Sequence, residues 1–255
     1  DRRKVVICLG DSLTRGNVSF DYVEALARRL EPSGYTVLNA GINGELAWNL
    51  LQRLDEIVAT EPAWVVLLVG TNDARGCEDE RAGRRVARRM RLPQRPDEDF
   101  FRLNYGALLD RLSATPRLRP ILLTLPPLGE RAGGRIDEYL ERFNQFIAEE
   151  ASKRGLDCLA IGRALRERLL ADPSESAPVY SARDSSRLAY RAVLGHYLLR
   201  WSWNRVSARH GMRLLTDMIH LNAVAGEIVV DQVEEWVRSH APAEPSSSPI
   251  AKPGL

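Results

Sequence analysis

The stretch Val5-Val6-Ile7-Cys8-Leu9-Gly10-Asp11-Ser12-Leu13 decides how this chain is read. Five consecutive apolar residues without polar alternation describe a strand buried on both faces, and the Gly-Asp that follows turns the chain out of it. The serine then stands where a first parallel strand gives way to a loop, the edge on which open α/β sheets build their sites. A serine there is equally suited to capping the next helix, so alone it assigns no chemistry.

Working outward, the same alternation recurs. Apolar runs at 3–9, 36–39, 64–69, 121–125 and 156–161 read as strands, separated by helical periodicities at 18–31, 46–59, 99–114 and 136–153, with a last helix at 223–239. The run from Trp64 to Val69 shows no alternation and suits a central strand. This order predicts an α/β fold, a three-layer α/β/α sandwich around a five-stranded parallel sheet. Residues 1–240 are expected to form one domain, and 241–255, rich in Pro, Ser and Ala, a disordered tail.

Two segments read less simply. In 75–98 arginines cluster between 81 and 91, with acids at 78–80 and 97–99. The first reading is a solvated helix with i,i+4 charge pairs, the second a pocket rim that meets an anionic substrate. Within 172–212, residues 172–186 read as a loop and 187–209 as a helix. Its Tyr190, Leu194, Tyr197, Leu198, Trp201 and Trp203 form an apolar stripe, taken as core packing with a substrate-facing lid as the alternative.

Composition excludes several classes. With 44% hydrophobic and 27% charged residues and a net charge of +2, the chain is an ordinary globule with no global case for nucleic acid or an anionic membrane. Cys8, Cys77 and Cys158 make neither a disulfide framework nor a metal-ligand spacing. His-Glu-x-x-His and phosphate-loop signatures do not occur, so neither a metal nor another cofactor is expected. From Asp1 onward no signal peptide or membrane anchor is visible, and the compartment, cytoplasmic or secreted, stays open.

Three more stretches join the first. Asn39-Ala40-Gly41-Ile42-Asn43-Gly44 follows the second strand, Gly70-Thr71-Asn72-Asp73 the third, and Asp217-Met218-Ile219-His220-Leu221-Asn222 precedes the last helix. In this order they resemble the four blocks of the SGNH (GDSL) hydrolase superfamily. The resemblance spans residues 4–239, with 75–98 and 172–212 covered only loosely. It implies the flavodoxin-like strand order 2-1-3-4-5 and a serine esterase: Ser12 as nucleophile, His220 as general acid/base and Asp217 as its orienter. It further implies an oxyanion hole from the backbone N–H groups of Ser12 and Gly44 and the side-chain amide of Asn72. Gly41 competes with Gly44 in its block, and the following Glu45 favours Gly44.

The chemistry fits the residue types. A serine hydroxyl needs a base to take its proton, the base needs a partner to fix its tautomer, and a carboxylate three residues before a histidine can supply that partner. His196, His210 and His240 lack such a neighbour and read as helix or cap residues. No Gly-x-Ser-x-Gly elbow is present. Acyl transfer to an acceptor other than water shares the same acyl-enzyme and stays open, as does a non-catalytic binding module on this fold. Family members act on acetylated carbohydrates, lipids, aryl esters and thioesters, so the substrate is expected to be a small ester of unassigned acyl and alcohol parts.

Overall fold

The computed structural model describes residues 4–240; the tail expected at 241–255 lies outside the described residues. In chain order, β1 (Lys4–Gly10) leads through the short α1 (Ser12–Arg15) to α2 (Tyr22–Leu30), β2 (Tyr35–Gly41), α3 (Ala47–Gln52), α4 (Leu54–Val58) and β3 (Trp64–Leu68). Next come α5 (Thr71–Cys77), α6 (Glu80–Met90), α7 (Glu98–Ala114), β4 (Arg119–Leu123), α8 (Arg135–Arg154), β5 (Asp157–Leu159) and α9 (Ile161–Ala171). The last third is helical: α10 (Ala182–Val193), a π-helical turn at Leu194–Leu198, α11 (Trp203–Arg209) and α12 (Ala223–Ser239).

All five strands are parallel and lie in the order β2-β1-β3-β4-β5, with helices on both sides. Every residue of β3 is buried, as a strand paired on both edges and covered on both faces must be. Register does the positioning. Gly10 lies opposite both Gly41 and Leu68, so β1, β2 and β3 end at one edge and release Ser12, Gly44 and Asn72 on the same side of the sheet. Glycine is required at position 10, because a Cβ would stand 2.3 Å from both the Leu68 carbonyl oxygen and Thr14 Oγ1.

Several expected elements differ. The helix expected at 18–31 is α2, which begins only at Tyr22 because Asp21 caps it by accepting from the Glu24 N–H, and a short extra helix, α1, precedes it, capped by Asp11, which accepts from the Leu13 N–H. The helix at 46–59 breaks at Arg53, whose side chain binds the Glu45 carboxylate and the Ala40 carbonyl. Helix α9 occupies a stretch with no element assigned from sequence, and α10 starts earlier than the expected 187 because Ser181 caps it. The stripe in 187–209 is the largest correction. Trp203 is buried and Trp201 half-buried, but Tyr190 is 68% exposed and Leu198 72%, with Tyr197 and Leu194 exposed too. Spacing put these residues on one face of a single helix; the chain instead divides into α10, the π turn and α11, so that Trp203 packs beside Ala192, Val206 and Phe20 while Tyr190, Leu194, Tyr197 and Leu198 stay exposed.

Candidate active site

Ser12 opens α1, directly after the Asp11 cap, so its hydroxyl stands at the sheet edge half-exposed. His220 comes from the loop before α12, 208 residues away, and its Nε2 lies 2.8 Å from Ser12 Oγ. The other ring nitrogen, Nδ1, lies 2.7 Å from Asp217 Oδ2. Asp217 is fully buried, and its Oδ1 accepts from the backbone N–H groups of Ile219 and His220 at 3.0 and 2.8 Å. Burial alone would raise this carboxyl, but the His220 ring and the hydrogen bonds from His220 and Ile219 outweigh it and hold the group below its ordinary value. An ionised carboxylate accepts only, so Nδ1 carries the proton and Nε2 is left to accept from the serine hydroxyl.

The histidine loop is tied down from outside. Glu130, on the loop after β4, accepts from the backbone N–H groups of Arg213, Leu214 and Leu215. Gly129 donates its N–H to the Met218 carbonyl, and Thr216 donates to the carbonyl of His220 at 2.7 Å. Asn222 closes the loop by accepting from the Ala225 N–H as cap of α12 while donating to the Arg213 carbonyl. Met218 takes φ 75°, a left-handed turn that a non-glycine residue holds only under such constraint.

Asn72 stands on the first turn of α5, and its amide orientation follows from its neighbours. Arg75 Nη1, which can only donate, meets Asn72 Oδ1 at 3.2 Å. Asn72 Nδ2 therefore faces two acceptors, Asp11 Oδ2 and the Glu45 carbonyl, each at 3.1 Å. One side chain thus ties the residue before Ser12 to the residue after Gly44. Gly44 takes φ 84°, and a Cβ there would stand 3.3 Å from Met90 Sδ. Gly41 is different: a Cβ would meet the Arg15 nitrogen at 2.3 Å, so it packs against α1. Gly44 and Asn72 line one small cleft, about 150 Å³, together with residues of α5, α6 and α10.

Two further acids sit beneath the site. Burial pushes Asp11 up to about 6, against the pull of the Leu13 N–H, His220 and Arg75. Burial pushes Asp73 up to about 8, opposed by the Ala47 N–H. Sequence reading missed Asp11, Arg75, Glu130 and Tyr180, whose hydroxyl accepts from Arg75 Nε, as site residues. Arg75 carried a signal, lying three residues after Asn72 on one helix face. Glu130 carried none, since its partners lie 83 to 85 residues downstream. Among the described residues no cluster of His, Cys, Asp and Glu could hold a metal ion. No helix among them is long and apolar enough to cross a membrane.

The chain is similar to known proteins to different depths. A model of the GDSL-like lipase/acylhydrolase family matches residues 8–225. A comparison with curated protein sequences found no match. Among solved structures, an acetyl xylan esterase is 21% identical, with 92% of this chain and 98% of that chain covered and a TM-score of 0.58. The acetylxylan esterase of Geobacillus stearothermophilus is 16% identical over 92% of this chain and 93% of that one, TM-score 0.60. A lipase/acylhydrolase from Enterococcus faecalis is 17% identical over 95% and 100%, TM-score 0.60. At these identities the likeness bears on the fold.

Proposed function

The chain belongs to the GDSL-like lipase/acylhydrolase family and is a carboxylic-ester hydrolase; from that premise we propose that it works through an acyl-serine on Ser12. The observation that carries this reading is the unbroken hydrogen-bond chain from Ser12 Oγ through His220 to Asp217. His220 Nε2 takes the hydroxyl proton as Ser12 Oγ attacks the ester carbonyl, and Asp217 stabilises the imidazolium while fixing its tautomer. The tetrahedral oxyanion is met by the N–H groups of Ser12 and Gly44 and by the Asn72 amide, which turns one N–H toward it from its resting acceptors, Asp11 Oδ2 and the Glu45 carbonyl. Helical geometry supports the first donor, because the N–H groups of a first turn have no intrahelical partner. Collapse expels the alcohol, which takes the proton from His220; water then repeats the sequence on the acyl-enzyme and frees Ser12.

Solved mutants of the Geobacillus stearothermophilus acetylxylan esterase described as catalytic replace a serine, an aspartate and a histidine, the aspartate three positions before the histidine. That set has the same composition as Ser12, Asp217 and His220 and the same spacing from aspartate to histidine, which supports nucleophile, orienter and base for these three residues. The small cleft beside Gly44 and Asn72 favours a short acyl group. The test is labelling: a fluorophosphonate should modify Ser12 alone, one group per chain. Ser12→Ala should abolish both labelling and turnover of short-chain aryl esters while circular dichroism stays that of the parent. Wild-type turnover in Ser12→Ala would remove the reading.

A further inference from the structure

The cleft that holds Gly44 and Asn72 is lined by three arginines, Arg75, Arg85 and Arg89, and by no Asp or Glu. Arg85 and Arg89 are one turn apart on α6, on the face that also presents Ala82, Val86 and Met90 to the cleft. Arg75 reaches it from α5, held by Asn72 Oδ1 through Nη1 and by the Tyr180 hydroxyl through Nε at 3.1 Å. Like charges at i,i+4 oppose each other, so helix stability does not account for the arrangement.

Several other arginines on or beside helices are neutralised by a carboxylate. Arg84 pairs with Glu80, Arg102 and Arg142 with Glu98, Arg53 with Glu45, and Arg154 with Asp110 and Glu150. Among the described residues, Arg75, Arg85 and Arg89 have no carboxylate within the 4.0 Å of an ion pair. The nearby acids are otherwise placed: the Asp79 carboxylate caps α6 by accepting from Ala82 N–H at 2.7 Å, and Glu78 lies near Arg75 without pairing. Asp11, buried behind Asn72, accepts from Leu13 and Asn72.

Building on the nucleophilic role of Ser12, we propose that Arg75, Arg85 and Arg89 form a subsite for an anionic group, so that this enzyme prefers esters whose acid or alcohol part carries a carboxylate or phosphate. The subsite adjoins the oxyanion donors, so an anion seated there lies within a few atoms of the scissile carbonyl. Arginine suits the task because its planar fork binds carboxylate and phosphate oxygens in pairs. Arg75 also holds Asn72, so variants at Arg85 and Arg89 separate substrate binding from oxyanion chemistry.

The experiment compares matched esters. For the acid part the pair is 4-nitrophenyl butyrate and mono-4-nitrophenyl glutarate; for the alcohol part it is methyl 4-acetoxybenzoate and 4-acetoxybenzoate. In one pair the charged member should have the higher kcat/KM, by about tenfold, and the pair that responds identifies which part of the ester carries the anion. The double variant R85Q/R89Q should bring that ratio close to one, mainly through KM, and the single variants should fall between. Arg88→Gln, exposed on α6 outside the cleft, should leave the ratio as it is. Preference for the neutral member in both pairs would overturn the subsite, as would an R88Q effect equal to that of the double variant. Turnover of the neutral esters with no charge preference would sink the subsite alone; turnover of none would sink the Ser12 reading with it.

Discussion

Two walls of one cleft are built from different material. One is the edge of the sheet, where Asp11, Asn72 and Asp73 are all buried and bonded to backbone or to each other. The other is helical, and its Arg85 and Arg89 extend from α6 with their heads in solvent. The first wall is held by strand register, which does not shift without unpairing the sheet. The second hangs on helices whose outward faces are free to change. Chemistry that depends on tenths of an ångström belongs on the first, and selection among substrates on the second.

The sharpest way to break this division is Asn72→Ala. If the rigid wall carries transition-state stabilisation, kcat should fall by about two to three decades with KM little changed. A loss confined to KM would move Asn72 to the binding wall. Next comes Glu130→Ala, which touches no substrate but frees three backbone N–H groups at 213–215. Loosening the His220 loop should lower kcat by about tenfold, since misplacing a base by a fraction of an ångström is costly. Glu130→Gln, which keeps an acceptor oxygen, should recover most of that loss. Equal damage from both variants would show that the carboxylate charge matters and the loop anchoring does not.

How far these walls could be read from the chain follows from what each depends on. The rigid wall is local in sequence: an apolar run, then Gly-Asp-Ser, Gly-Ile-Asn-Gly or Gly-Thr-Asn-Asp, each at the end of a strand. Four short blocks in order were enough to suggest Ser12, Gly44, Asn72, Asp217 and His220 together. The strand order came through the family resemblance, because periodicity says nothing about which strand lies beside which. Glu130 was illegible for the same reason, its partners being distant in sequence. Residues 187–209 failed differently. Helical spacing shows which side chains share a face, while a partner for that face must come from elsewhere in the fold, and among the described residues Tyr190 and Leu198 stay exposed. The chain also turns there sooner than expected: a Cβ on Gly195 would meet the Trp201 ring at 2.8 Å, so the π turn ends against that indole.

A buried acid under the rigid wall gives a pH test. Burial raises Asp73 from its ordinary 3.8 to about 8, so between those values the folded chain holds a proton that the unfolded chain has released. That contribution to stability is complete below about pH 4 and is lost as pH rises toward 8. Asp73→Asn has no such proton. Between pH 7 and pH 8, the unfolding free energy of the wild type should therefore fall by about 1 kcal/mol more than that of the variant, read from urea titrations at each pH. Equal pH slopes would mean that Asp73 stays ionised in the fold, reached by water or a donor beyond the Ala47 N–H.

The smallest expected effect tests the helical side. Leu198 belongs to the stripe whose spacing suggests core packing, yet its side chain is 72% exposed. Deleting a buried leucine leaves a cavity and costs about 2–5 kcal/mol, whereas a surface change away from special contacts stays within about 0.5 kcal/mol. Leu198→Ser should therefore leave the denaturation midpoint almost where it is. Turnover of neutral aryl esters should not change, because Leu198 does not line the cleft beside Gly44 and Asn72. A loss of about 2 kcal/mol or more would mean that this face is packed in solution, and the contrast between a rigid wall and a free one would then have to be redrawn around whatever covers it.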